Sequence, residues 1–217
     1  MEISQVTILG MYANSLIFIV VNTTLSMFIT SATAYVVCKY EFPGRRIIYW
    51  ISLVIILVPT LGSISAMYRF YQQMGLYDTY HGIFIMATGG FGMGFILLYG
   101  FFKNIPWAYA EAASIDGAGD MTIFLRVMMP QAVPAIAAVG VISAIGIWND
   151  YFTIYMYAPS RVTVAYGVKL IVDRMTYDSN YPLMFAGITA SVIPILVIFT
   201  IFSRTIMENM IAGGLKG

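Results

Sequence analysis

Long runs free of charge alternate along this chain with short clusters of charged residues. Apart from one histidine at a run's edge, no ionisable acid or base separates Glu2 from Lys39, Arg46 from Arg69, His81 from Lys103, Arg126 from Asp150, or Asp178 from Arg204. About 20 apolar residues carry a helix across the hydrocarbon of a bilayer. The charge-free windows therefore predict helices over 15–37, 47–68, 82–102, 131–148 and 183–203. None shows the period-two alternation of a half-buried strand, and only helices and closed barrels satisfy their backbone in lipid. The pattern predicts an all-α polytopic membrane protein: about five transmembrane helices forming a single transmembrane domain over residues 1–217.

Composition strengthens this reading. Hydrophobic residues make up 60% of the 217 and charged residues 10%, against about 45–50% and about 25% in an ordinary soluble domain. So little charge cannot cover a water-facing surface, and membrane lipid becomes the expected neighbour. The net charge of +1 supplies neither a basic patch for nucleic acid nor an acidic tail. Cys38 is the one cysteine and His81 the one histidine, which excludes an intrachain disulfide and any metal site built from several Cys or His. No metal site is expected.

Basic residues set the expected orientation. One set of span ends carries Lys39, Arg45, Arg46, Lys103, Arg126, Arg204 and Lys216; the other carries Arg69, Arg161, Lys169 and Arg174. The richer set is expected on the cytoplasmic side. Five spans then leave the N-terminus outside and the C-terminus inside. Met1-Glu2-Ile3 lacks the basic start of a cleavable signal peptide.

Several chemistries have no residues to perform them. The chain has no GxxxxGK[ST], HExxH or GxSxG, so a P-loop, a zincin site and a nucleophile elbow are excluded. No Asp, Glu, Lys, Arg or His lies inside a predicted span, where proton-coupled carriers place such groups. An energy-driven role would need another subunit to supply the energy. No cofactor is expected on this chain.

The stretch from Lys103 to Asp120 is the most informative. Asn104 can cap a helix whose first turn suits Pro106, and residues 108–113 are mostly good helix formers. Asp116-Gly117 supplies a stop. Asp120 can cap a second helix over 121–129, followed by Pro130. This predicts a helix, a turn and a second helix on the cytoplasmic side. Small alanines give a face that another protein can approach closely, and Glu111 and Asp116 can meet basic groups there.

The order Glu111-Ala112-Ala113, Asp116-Gly117-Ala118, Phe124, Pro130 resembles the EAA loop of ABC-importer permeases, in particular the carbohydrate branch of the maltose-permease type. Asn14-Ser15-Leu16, Tyr40–Arg45, Gly75–Thr79, Phe101–Pro106, Trp148-Asn149-Asp150 and the tail Ala212–Gly217 agree with that branch, so the resemblance covers nearly the whole chain. It implies a transmembrane permease subunit of an ATP-driven, binding-protein-dependent carbohydrate importer in a bacterial or archaeal plasma membrane. It further implies a second permease subunit, an ATP-binding cassette ATPase dimer that uses the ATP, and an extracytoplasmic solute-binding protein. The ATPase-coupling residues would be Glu111, Ala112, Ala113, Asp116, Gly117 and Ala118. Members of this branch usually carry a further helix before the position of Asn14. This chain does not, as expected of a naturally short permease, a truncated reading frame or a fragment.

Other polar positions admit two readings. Asn22, Ser26, Thr30 and Thr33 share one face of the first span, where they can line a sugar path or make interhelical hydrogen bonds. Asn149, within Trp148-Asn149-Asp150, can face the substrate or belong to an interfacial anchor. Gly90 and Gly94 form a GxxxG suited to close packing, and Pro59 and Pro194 mark expected kinks. The alternative to a permease subunit is a stand-alone secondary transporter or channel. Its best support would be internal inverted repeats, and none is evident.

Overall fold

Helices account for nearly all regular structure in the computed structural model. It describes residues 7–58, 60–178 and 180–214, with backbone only at 60–61, 176–178 and 204–214. The helices in chain order are α1 (Ile8–Lys39), α2 (Arg45–Leu57), α3 (Ile64–Gln73), α4 (Tyr80–Met86), α5 (Met93–Asn104), α6 (Ala108–Ile115), α7 (Asp120–Ile123), α8 (Met129–Asn149), α9 (Tyr151–Tyr157), α10 (Val164–Asp178) and α11 (Tyr181–Gly214). Among the described residues there is no strand.

Three helical runs are long and apolar enough to cross a membrane: Ile8–Lys39, Asp120–Asn149 and Tyr181–Ser203. They contain the first, fourth and fifth predicted spans. The other two spans differ from expectation, because neither 47–68 nor 82–102 is one continuous helix. In the first case α2 stops at Leu57 and Val58 turns extended, with φ −84° and ψ 117°. Val58 precedes Pro59 in the sequence, and the proline ring clashes with an α-helical conformation at the residue before it. A 3₁₀ turn at Thr60–Ser63 leads into α3. In the second case 87–92 separates α4 from α5, and Gly92 has φ 111° and ψ −158°. Residues with a Cβ rarely adopt that conformation.

The helix–turn–helix over 104–129 also differs from expectation. Its second helix does not end before Pro130. A π-helical turn at Phe124–Met128 joins α7 to α8, and helix continues through Pro130 and Pro134 to Asn149. A proline inside a helix lacks its N–H and presses on the carbonyl four residues back. The wider π turn lies where that conflict for Pro130 would fall. The connection between the fourth and fifth spans contains α9 and α10.

The chain divides into two compact units, each assembled from distant stretches of sequence. One comprises 1–25, 60–88 and 142–201. Its core gathers Phe18, Tyr71, Ile83, Ile154, Tyr157 and Ala158. Polar ties brace it. Tyr80 donates to Asn14 Oδ1 at 2.8 Å, Asn14 Nδ2 donates to the Val162 carbonyl at 3.0 Å, and the Val164 amide donates to Ser15 Oγ at 2.9 Å.

The other unit comprises 26–59, 89–141 and 202–217, around Tyr35, Phe95, Leu98, Phe102, Phe124 and Met128. Tyr35 stacks on Phe124 with ring centroids 5.1 Å apart and meets Phe102 edge-on at 5.6 Å. Such pairs contribute about 0.5–1.5 kcal/mol each beyond burial. The expected GxxxG packing occurs here. A Cβ on Gly90 would lie 2.7 Å from Thr33 Oγ1, and one on Gly94 would lie 3.3 Å from Val139 Cγ1. Small residues let helices approach where lipid supplies no hydrophobic drive.

Candidate coupling site and transport path

Helix α6 is built as a short, capped projection. Its N-cap is Trp107 rather than Asn104, which ends α5 and donates its Nδ2 to the Gly100 carbonyl at 3.1 Å. The amides of Ala110 and Glu111 both bond the Trp107 carbonyl. The predicted stop is present: Asp116 is the C-cap, Gly117 takes φ 84°, and the Ala118 amide reaches back to the Ala113 carbonyl at 2.9 Å. Glycine adopts this left-handed conformation without the steric cost of a Cβ.

Helical geometry then sorts the motif into two faces. Glu111, Ala112, Asp116 and Gly117 are exposed. Ala110 is buried, and the half-buried Ala113 and Ala118 pack on the core that holds Phe102 and Phe124. Among the described residues neither Glu111 nor Asp116 forms an ion pair. Ile115 is 87% exposed and Met121 66%, so large apolar side chains flank the two free acids. This surface can receive a partner carrying apolar contacts and basic groups.

The end of α1 clamps the base of this projection. Lys39 Nζ donates to the Ile105 carbonyl, Tyr40 donates to Asp120 Oδ1 at 2.9 Å, and the Tyr40 and Trp107 rings meet edge-on at 5.8 Å. Burial pushes the Tyr40 phenol above its ordinary pKa, and Asp120 adds to the shift, which keeps Tyr40 a neutral donor. Asp120 is therefore not the expected N-cap. Gly119 caps α7, while Asp120 sits in the first turn, where a carboxylate complements the helix dipole. The sequence reading missed Tyr40 and Lys39 as braces. The signal available to it was an aromatic and a base immediately after an apolar span.

The polar positions considered for a path occupy varied settings. Asn22 is buried, and its Oδ1 has no hydrogen-bond partner among the described residues. Ser26 is half-buried and Thr30 is buried one turn later, its Cγ2 3.7 Å from where a Gly94 Cβ would sit. Thr33 donates to the Ile29 carbonyl at 2.7 Å. Asn149 is exposed and donates to the Ile145 carbonyl at 2.8 Å. Its neighbours have structural duties. Trp148 is buried, donates its Nε1 to the Ser191 carbonyl at 3.0 Å and lies 6.0 Å from the Tyr12 ring, while Asp150 caps α9 by accepting the Thr153 amide. Among the described residues no group of three or more His, Cys, Asp or Glu could hold a metal.

Long apolar helices mark an integral membrane protein, and α6 presents two exposed acids that form no ion pair among the described residues. The comparisons narrow that class. Residues 25–210 match the model of the binding-protein-dependent transport system inner membrane component family, and the chain belongs to that family. It is 33% identical over 206 residues to the diacetylchitobiose uptake system permease protein NgcG of Streptomyces coelicolor, covering 93% of this chain and 68% of that protein. It is 29% identical to the maltodextrin transport system permease protein MdxG of Bacillus subtilis, covering 96% of this chain and 76% of the relative. Among solved structures, a bacterial ABC transporter involved in the import of the acidic polysaccharide alginate superposes with a TM-score of 0.65 at 26% identity, over 95% of this chain and 75% of that one.

Proposed function

We propose that this chain is a permease subunit of an ATP-driven, binding-protein-dependent carbohydrate importer, and that α6 is its contact with the ATPase. The observation that carries the reading is the two-faced α6. Ala110 and Ala113 are seated on the core, while Glu111 and Asp116 are exposed and form no ion pair among the described residues. The permeases named for diacetylchitobiose and maltodextrin support a carbohydrate cargo. In this reading residues 1–217 form one transmembrane domain in a bacterial or archaeal plasma membrane. The three continuous helices cross the bilayer, and the broken segments α2–α3 and α4–α5 supply the remaining two of five crossings. A second permease, an ATPase dimer and an extracytoplasmic binding protein complete the machine. ATP is bound by the ATPase subunits, not by this chain.

Coupling follows from differential binding. Nucleotide-driven closure of the ATPases and docking of the loaded binding protein can shift the permease outward only by binding that state more tightly. A thrust on α6 passes to the end of α1 through the Tyr40–Asp120 and Lys39–Ile105 bonds. Asn22, Ser26, Thr30 and Asn149 are the proposed path residues. The test is a reconstituted transporter carrying Glu111→Lys or Gly117→Val. Each should insert normally yet lose sugar uptake, through charge reversal in the first and a β-branched side chain at positive φ in the second. Parental uptake by both variants would remove the coupling role from this loop.

A further inference from the structure

Helices α1, α10 and α11 enclose a groove of about 480 Å³, within the size range of ligand sites. Its walls are apolar. Val168 and Ile171 of α10 face Gly187 of α11, where a Cβ would lie 3.3 Å from Ile171 Cδ1. Met11 of α1 closes against Gly167, and the Tyr12 hydroxyl ties α1 to α11 by donating to the Ala190 carbonyl at 2.8 Å. One end is polar: Arg174 and Asn180 lie there, just before the membrane-spanning run that starts at Tyr181. Asp173 is engaged by Lys169, whereas Arg174 has no ion pair among the described residues.

The dimensions identify an occupant. From Asn180 at the mouth to Ala190 at the far end the helix rises about 15 Å at 1.5 Å per residue. That is half of the roughly 30 Å hydrocarbon core, the depth of one leaflet. None of the apolar window of Tyr181–Ser203 is fully buried within this chain, and Leu183 and Ala186 on the α11 wall are exposed. We propose that the groove holds an acyl chain of an anionic phospholipid whose phosphate is paired with Arg174. A single basic group near a membrane surface contributes about 1 kcal/mol toward an anionic lipid, about a fivefold preference. The inference needs only that the chain is membrane-embedded and does not depend on its cargo.

Native mass spectrometry of the detergent-purified full chain, titrated with phosphatidylglycerol or phosphatidylcholine of identical acyl chains, tests it. The parent should retain phosphatidylglycerol about fivefold better. Arg174→Gln should bring the two lipids to parity while both still bind. Ala186→Phe, placed at an exposed position on the groove wall, should reduce retention of both. Circular dichroism checks that each variant is folded, and Arg174→Gln alone suffices if Ala186→Phe is not. Equal retention of the two lipids by the parent, no retention of either, or a preference untouched by Arg174→Gln would each overturn the proposal.

Discussion

Two regions rich in helix-breaking residues behave in opposite ways. Between Asp120 and Asn149 the chain contains Pro130 and Pro134, yet remains helical for 30 residues. Between Tyr80 and Asn104 there is no proline, yet the helix opens between Met86 and Met93. The difference lies in what each backbone can use to absorb the fault. Ahead of Pro130 the π turn Phe124–Met128 is widened, while Phe124 and Met128 stay anchored in the core. Around Gly92 the chain adopts a conformation that leaves the helix altogether, and Gly90 beside it is pressed against α1. A proline is therefore no more reliable a stop than a glycine cluster; neighbouring packing decides.

The comparison can be broken most directly at Gly90. Gly90→Val should cost about 1–3 kcal/mol by overpacking, because Thr33 Oγ1 is already held by the Ile29 carbonyl and cannot swing aside freely. The check is a lower melting temperature in detergent; an unchanged melt would mean that the Gly90 contact is loose. Gly92→Ala should follow at about 1–2 kcal/mol from backbone strain alone, since no atom stands within 4 Å of its Cβ position. Suppressing that loss by any second change that relieves crowding would show that strain was not its source.

Pro130→Ala should alter stability by less than about 1 kcal/mol, well under the roughly 3 kcal/mol of an unrelieved interior proline, because the π turn has already accommodated the ring. A gain near 3 kcal/mol in chemical denaturation would show that the proline remains strained. Smallest of all, Gly89→Ala should stay within about 0.5 kcal/mol, having open space around it and no positive φ. A larger loss there would extend the close α1 contact beyond Gly90.

Helix α6 was legible because its signals are local. Alanine-rich propensity and a stop at Asp116-Gly117 operate within a few residues, and the structure places both where the sequence indicates. The capping role expected of Asn104 was wrong because the preceding helix runs on to include it. Charge patterning identified the three long spans for the same local reason. It could not distinguish a continuous helix from a broken one over 47–68 and 82–102, since apolar composition is the same in either case. Nor did it reveal α9 and α10, whose mixed polarity resembles that of a loop. The surroundings of Asn22 and Thr30 were equally out of reach, as periodicity assigns a shared face but not what covers it.

Sequence by itself determined that this chain is helical and membrane-bound, because so few charges cannot solvate its surface, and lipid admits only helices or closed barrels, whose strands would alternate where these runs do not. It also determined the turn at Gly117, through the need for glycine at positive φ. Only the tertiary structure decided which breakers break. It also decided that Tyr40 and Lys39 brace α6, that Trp148 ties α8 to α11, and that a leaflet-deep groove remains between α10 and α11. Each of these depends on residues far apart in the chain meeting at distances of a few ångströms, which no local propensity encodes.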